Sequence, residues 1–421
     1  MRVTIPPVGM RTIRHGLAIF LAAVFVRGFW MARTSLGPGE VRGDAIFYYQ
    51  SAVHLASDHS FHDDAGYRAL RMPLYPAFLA AVFLAAGPAV LAAQLAQILV
   101  GAATCVLIFW AGLAWLPAEG ALLAGWASVF YYGLFYPCGR LLTEVFFAFM
   151  LAVLFSLWLR WHAQRWWVLG IAGAGAALYL VRPEGALAVL AIALLGPRTR
   201  PGWRPVHSLV VAGVLALAML GWGWRNRAAI GAFTPGTTGA GFSLWAALPR
   251  TMHEHLKLDL GAPPAQPPSE ELARERFYRA SALQTIRSAP PAKLIEAMLF
   301  NLVSQFYPFL PRYELTFMLW LPFWVFAFWG ARRETALWPL FLLTVSWPAV
   351  FIVFGGADSR FRQLYAPLLL WLAGAGFVSL RERCGKARVW RFLLLWGVLN
   401  LVPFLFWPQT RALALKLKLL L

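Results

Sequence analysis

Long apolar runs recur along the whole chain, and they constrain the fold more than any other feature of the sequence. Each run is long enough, or nearly so, to cross a hydrocarbon layer of about 30 Å. Because a backbone in lipid must satisfy its hydrogen bonds internally, the runs predict membrane-spanning helices. They cover approximately residues 17–32, 90–114, 121–138, 142–159, 166–181, 184–196, 207–224, 315–330, 335–354, 363–380 and 389–407.

The composition agrees with a membrane protein and excludes a disordered chain or an ordinary soluble enzyme. Hydrophobic residues make up 60% of the 421 positions and charged residues only 13%, whereas soluble domains are about half apolar and a quarter charged. The net charge of +19 would suggest nucleic acid in a soluble protein, but here it predicts topology, because clusters of basic residues fall in short loops on one side. We therefore expect no nucleic acid partner, a cytoplasmic N-terminus and a multi-pass protein of the cytoplasmic membrane.

Two long polar segments, 34–72 and 225–293, are expected at the outer face of that membrane. Two further apolar pieces, 73–88 and 294–311, are interrupted by prolines and predict half-inserted or interfacial helices. The expected fold is an all-α polytopic bundle of about 11–13 transmembrane helices, forming one domain over residues 1–421.

Several charged residues stand where chemistry could occur. Asp44, in an aromatic segment at the membrane surface, could act as a general base or cap the helix that follows it. Arg71, before two prolines and Tyr75, could bind a phosphate or extend towards lipid headgroups. Arg360 and Arg362 could clamp a phosphate diester, with headgroup contact as the alternative.

Acidic residues near predicted helix ends form a second group. Glu144 opens a helix, where a carboxylate is favourable through the helix dipole alone. Arg182 and Glu184 lie between two apolar stretches and form either a functional pair or an internal ion pair that ties helices together. Divalent-metal ligands are present without a full ligand set, so a metal is an option and no dedicated site is predicted; the candidates are His59, His62, Asp63, Asp64, His253 and His255.

These pieces appear in an order that resembles the integral-membrane glycosyltransferases of the GT-C fold, and more narrowly the bacterial relatives of protein O-mannosyltransferases and of aminoarabinose transferase. The resemblance spans most of the chain, although each motif is short. It rests on Gly43-Asp44-Ala45 with Tyr48, Arg71-x-Pro-x-Tyr-Pro76, Leu142-Thr143-Glu144, Arg182-Pro183-Glu184-Gly185, Arg225-Asn226 with the run from Thr237 to Trp245, and the run from Arg360 to Pro367.

The resemblance implies inverting transfer of a sugar from a polyprenyl-phosphate carrier to an acceptor, with Asp44 as general base. Many relatives carry a second acidic residue beside the first, where this chain has Ala45, so Glu40 and Glu144 are the candidates for that carboxylate. Arg71, Arg360 or Arg362 would stabilise the leaving phosphate, and no redox cofactor is needed. The aromatic residues expected to stack on sugar faces are Tyr48, Tyr49, Tyr75 and Trp245.

A different class of protein fits the same residues. A transporter or flippase for a lipid-linked sugar would use a basic cavity and many helices without making a bond. Such proteins often show duplicated or inverted halves, and no such repeat is visible in this sequence. The acceptor is not identified by the sequence.

Overall fold

A computed structural model describes residues 9–34, 41–161, 165–248, 266–306, 314–331, 338–354, 359–409 and 412, and these residues contain helices but no strand. Glu40, His253 and His255, named above as candidates, lie outside the described residues. The helices are α1 (Met10–Thr34), α2 (Asp44–Ser57), α3 (Leu74–Ala86), α4 (Val90–Gly112), α5 (Ala118–Phe130), α6 (Tyr132–Phe135), α7 (Thr143–Leu159), α8 (Arg165–Val181), α9 (Gly185–Thr199), α10 (Pro205–Ile230), α11 (Ala240–Ala247), α12 (Glu271–Ser288), α13 (Pro291–Phe306), α14 (Leu315–Ala331), α15 (Trp338–Phe354), α16 (Ala366–Cys384) and α17 (Lys386–Leu405).

Each predicted membrane span except 121–138 corresponds to one helix, and the helical bundle confirms the all-α polytopic fold. Among the described residues, four helices are long and apolar enough to cross a membrane, namely α1, α4, α10 and α17, and shorter apolar helices accompany them. Large side chains of α1 and α17 are exposed, such as Phe25 and Leu394, each 72% exposed. Since these faces are apolar, lipid is their natural solvent.

One predicted span, 121–138, is shorter than expected. Helix α5 ends at Phe130, and the remainder forms α6 and a 3₁₀ turn over Tyr136–Gly139. Tyr131 has extended backbone, with φ −72° and ψ 115°, and Pro137 lies at the start of the 3₁₀ turn. A hydropathy count does not register these breaks. Helix α3 has 13 residues and is therefore about 20 Å long, less than the thickness of the hydrocarbon layer. That length agrees with a half-inserted helix.

Close packing of small residues joins the central helices. Helix α16 packs against α14 and α5, while α4 packs against α1, α5 and α7. A Cβ added at Gly376 would lie 1.7 Å from the carbonyl oxygen of Phe323, so only glycine fits where α16 crosses α14. The indole N–H of Trp371 donates to the carbonyl of Ile108 at 2.8 Å, which satisfies a buried donor and links α16 to α4.

The two long polar segments are tied to each other near Arg71. Glu271, at the start of α12, accepts hydrogen bonds from the backbone N–H groups of Arg68 at 2.7 Å and Ala69 at 2.9 Å. The same carboxylate accepts a hydrogen bond from the Thr238 hydroxyl at 2.5 Å. Because Glu271 is 8% exposed, these bonds are shielded from water, and they fix the backbone that leads into Arg71.

Candidate active site

Asp44 is the first residue of α2, and it does not cap that helix. The N-cap position is Gly43, which has φ +60° and ψ −134°, and no side chain caps this end. This backbone conformation favours glycine because it lacks a Cβ. The capping interpretation of Asp44 is therefore wrong, and the carboxylate points to other partners.

Both oxygens of the Asp44 carboxylate are engaged by arginines from distant parts of the chain. Arg71 Nη2 donates to Oδ1 at 2.6 Å, and Arg360 Nη2 donates to Oδ2 at 3.0 Å. Burial raises the pKa of Asp44, but the two guanidinium groups outweigh it and lower the pKa to about 2. The carboxylate is therefore ionised at neutral pH, and its side chain remains 31% exposed.

Glu144 is the second carboxylate of this site. Its Oε1 lies 3.1 Å from Arg360 Nε, so one guanidinium group bridges Asp44 and Glu144. Glu144 is 2% exposed. Its other oxygen, Oε2, is buried and accepts no hydrogen bond from the described residues. Leaving a buried carboxylate oxygen without a hydrogen bond costs free energy. We therefore expect a ligand or a water molecule next to Oε2.

Arg182 extends the site on the side of α7. Its guanidinium group donates to the Thr143 hydroxyl at 3.1 Å and to Glu184 Oε1 at 3.2 Å. The expected internal ion pair is thus present, and it adjoins the site because Thr143 precedes Glu144 in α7. We call the six residues the charged cluster: Asp44, Arg71, Glu144, Arg182, Glu184 and Arg360.

Tyr48 and Tyr75 are buried next to the charged cluster, and their rings do not face solvent. They are 4% and 0% exposed, and their rings pack edge to face with centroids 5.1 Å apart. The Tyr75 hydroxyl donates to Gln97 Oε1 at 2.8 Å. Because protein encloses both rings, we assign them to the floor of the site and not to a surface that stacks on a sugar.

Arg362 is held apart from Asp44. It is 1% exposed and forms an ion pair with Glu314. It donates to the carbonyl of Gln305 at 2.7 Å and lies over the Phe317 ring at 3.5 Å. These contacts occupy the guanidinium group in the protein interior, so the structure does not support Arg362 as a phosphate ligand.

A cavity of about 130 Å³ adjoins the charged cluster at Arg71. Its lining includes three aromatic residues and three charged ones: Tyr67, Phe242, Tyr278, Arg71, Arg274 and Glu271. Trp245 does not line this cavity; it packs against Tyr278, with ring centroids 5.1 Å apart. Phe242 lies one turn before Trp245 on α11, and it lines the cavity with Tyr67 and Tyr278.

Arg71 joins this cavity to Asp44, and the arrangement is suited to an anionic ligand. Two guanidinium groups that already bind a carboxylate can also bind a phosphate through charge-assisted hydrogen bonds. A carboxylate between them can accept a proton if those guanidinium groups turn to the ligand. The predicted metal candidates are separate from this site: His62 lies in a group with His54 and Asp58, and His59 is not in that group.

Comparison with known proteins identifies the fold. No protein-family model matches the sequence, and no curated protein matches it. The archaeal oligosaccharyltransferase AglB from Archaeoglobus fulgidus, solved in complex with an inhibitory peptide and a dolichol-phosphate, aligns with 97% of this chain at a TM-score of 0.51 and 10% identity. The chain has the GT-C fold.

Other solved structures with the GT-C fold align less extensively. The apo form of the Archaeoglobus fulgidus oligosaccharyltransferase aligns with 93% of this chain at a TM-score of 0.51 and 11% identity. ArnT from Cupriavidus metallidurans, bound to undecaprenyl phosphate, aligns with 87% of this chain and 78% of its own, at a TM-score of 0.44 and 14% identity. The chain covers 56% and 55% of the two archaeal structures, so it spans little more than half of their length.

Proposed function

We propose that the chain transfers a sugar from a polyprenyl-phosphate donor to an acceptor hydroxyl at the outer face of the cytoplasmic membrane. The observation that carries the proposal is the convergence of Asp44, Arg71, Glu144 and Arg360, which are far apart in sequence, on one carboxylate–guanidinium cluster beside a cavity. The GT-C fold supports it, since AglB was solved with a dolichol-phosphate.

The donor phosphate would compete with Asp44 for the two arginines. In the structure Arg71 and Arg360 each donate to one oxygen of Asp44. The donor phosphodiester offers two oxygens of the same kind and carries one negative charge, as a carboxylate does, so it can take the place of Asp44 at both guanidinium groups; its negative charge grows as the bond to the sugar breaks. Asp44 then loses its partners, and its oxygens can reach the acceptor.

The released carboxylate would act as the general base. The acceptor oxygen attacks the anomeric carbon from the side opposite to the phosphate, and its proton passes to Asp44 as the new C–O bond forms. The bond between that carbon and the phosphate oxygen breaks, so the configuration inverts and polyprenyl phosphate leaves. Arg71 and Arg360 stabilise the negative charge of the leaving phosphate, while Glu144 holds Arg360 in place.

Detection of the products tests the proposal against transport. The purified chain in lipid nanodiscs would be given a panel of undecaprenyl-phosphate-linked hexoses and pentoses, with a membrane extract as the source of acceptor. We expect mass analysis of the lipids to show free undecaprenyl phosphate in proportion to glycosylated acceptor. Movement of intact donor between the leaflets of proteoliposomes, with no free undecaprenyl phosphate, would instead establish a flippase.

The dependence of turnover on pH should differ between the free and the donor-bound enzyme. In the free enzyme two guanidinium groups outweigh the effect of burial and lower the pKa of Asp44 to about 2, and kcat/KM reports this state. A bound phosphate draws those groups away and adds negative charge, and both effects raise the pKa of Asp44. We therefore expect the acid limb of kcat, which reports the bound enzyme, at higher pH than the acid limb of kcat/KM.

Glu144 provides the control for this assignment. Glu144→Gln removes the other carboxylate of the site, so any acid limb that belongs to Asp44 should persist in this variant. Acid limbs that coincide for kcat and kcat/KM would show that the donor does not displace Asp44 from the arginines.

A further inference from the structure

The far end of α2 carries a second group of polar side chains, separate from the charged cluster. His54, Asp58 and His62 each offer one ligand atom, and these atoms lie within 4.8 Å of one another. His54 is ten residues beyond Asp44 in the same helix, which places it about 15 Å away along the helix axis. The group therefore plays no part in the mechanism proposed above.

Hydrogen bonding fixes the His54 ring in the form that binds a metal. Its Nε2 lies 2.9 Å from Asp64 Oδ1, and Gln50 Nε2 donates to the other Asp64 oxygen at 2.5 Å. Since a carboxylate only accepts, Nε2 carries the hydrogen and Nδ1 carries a lone pair. His54 Nδ1 faces Asp58 Oδ2 at 3.7 Å, too far for a hydrogen bond. A histidine that donates to a carboxylate through its outer nitrogen is the usual arrangement around protein-bound zinc.

The positions of His62 and Asp58 agree with the same site. His62 Nδ1 lies 2.9 Å from the carbonyl oxygen of Asp63, so Nδ1 carries the hydrogen and Nε2 is left with a lone pair. Asp58 Oδ1 lies 3.2 Å from the Ser57 hydroxyl, which is also 3.0 Å from the carbonyl oxygen of Val53, and Asp58 Oδ2 lies on the side of His54. The two imidazole rings lie with their centroids 4.2 Å apart. One nitrogen of each imidazole ring is thus held by a hydrogen bond, and each of the three side chains offers one ligand atom to the group.

We propose that His54, Asp58 and His62 bind one zinc ion, with water completing the coordination. Two imidazole nitrogens and one carboxylate oxygen suit zinc better than magnesium or calcium, which prefer oxygen ligands alone. The partial exposure of the site, 27% for His54 and 53% for Asp58, leaves room for water. The ion would join the end of α2 to the turn that follows, and so hold the segment between Asp44 and Arg71.

Zinc binding by the full chain tests this proposal. Tag-free protein in detergent would be depleted with a chelator and titrated with zinc against a competing chromophoric chelator. We expect one zinc per chain in the wild type and loss of that stoichiometric zinc in His54→Ala and in His62→Ala. Asp64→Asn keeps all three ligands but weakens the orientation of His54, and we expect affinity to fall about 10- to 100-fold.

His59→Ala is the matched control, because it removes a histidine from the same turn that is outside the group; it should bind zinc like the wild type. Thermal unfolding without metal should be the same for all variants, and added zinc should raise the unfolding temperature only where binding is retained. A wild type that binds no zinc would overturn the proposal. Equal zinc binding by the double variant His54→Ala/His62→Ala would overturn it as well.

Discussion

Asp44→Asn should lower kcat about 10²- to 10⁴-fold, the usual contribution of a general base. Asparagine keeps the shape of the side chain but cannot accept the proton of the acceptor. The change also releases Arg71 and Arg360 from the carboxylate that each now binds at 2.6 and 3.0 Å, so the guanidinium groups bind the donor phosphate without competition. We therefore expect KM for the donor to stay equal or fall while kcat collapses.

A loss of kcat without a rise in KM separates a catalytic effect from a structural one. A purely structural effect of Asp44→Asn would raise KM and lower the unfolding temperature together. Glu296→Gln is a matched control, because it neutralises an exposed carboxylate whose partner, Lys293, lies 3.0 Å away on the same helix; it should leave both constants unchanged. Turnover near the wild-type rate by Asp44→Asn would refute the assignment of Asp44 as base.

The length of apolar runs was sufficient to predict the bundle, because a spanning helix must be both long and apolar. Every predicted span except 121–138 corresponds to one helix in the structure. The errors lie at helix ends and in the 121–138 stretch. There the extended backbone at Tyr131 and the 3₁₀ turn that begins near Pro137 divide an apolar run that is continuous in hydropathy. Backbone breaks of this kind depend on single residues and not on the average over a window.

The sequence proposed Asp44, Arg71, Glu144 and Arg360 as separate motifs, and the structure brings them together. The sequence alone could not decide which of the two arginines, Arg360 or Arg362, contacts Asp44. The two residues lie in a 3₁₀ turn over Ser359–Gln363, and with three residues per turn, positions i and i+2 point in different directions. Arg360 faces Asp44 and Arg362 faces Glu314, an outcome that only tertiary packing determines.

The sequence alone also did not predict which aromatic rings and carboxylates are buried. Tyr48 and Tyr75 were expected at a sugar-binding surface but are enclosed by protein, because their exposure depends on helices distant in sequence. Glu271 was missed, although it fixes the backbone that leads into Arg71. A glutamate at the start of a helix is favourable through the helix dipole alone, so its position gave no signal for these buried hydrogen bonds.

Glu314→Gln should lower the free energy of unfolding by about 3–5 kcal/mol, because it leaves Arg362 as a buried charge without a counter-charge. The side chains of Arg362 and Glu314 are 1% and 11% exposed, so water cannot replace the lost carboxylate. The measurement is unfolding by dodecyl sulfate in mixed micelles. Glu119→Gln breaks a matched pair with Arg381 whose side chains are 58% and 26% exposed, and it should cost about 0–1 kcal/mol.

The double variant Glu314→Leu/Arg362→Met shows whether the cost arises from the unpaired charge. Removing both partners removes the buried charge, and apolar side chains of similar volume often restore stability. We therefore expect the double variant to be more stable than Glu314→Gln alone. If the double variant were less stable than Glu314→Gln, the contacts of Arg362 with Gln305 and Phe317, and not its charge balance, would dominate. Equal costs for Glu314→Gln and Glu119→Gln would show that water reaches the Arg362 guanidinium group.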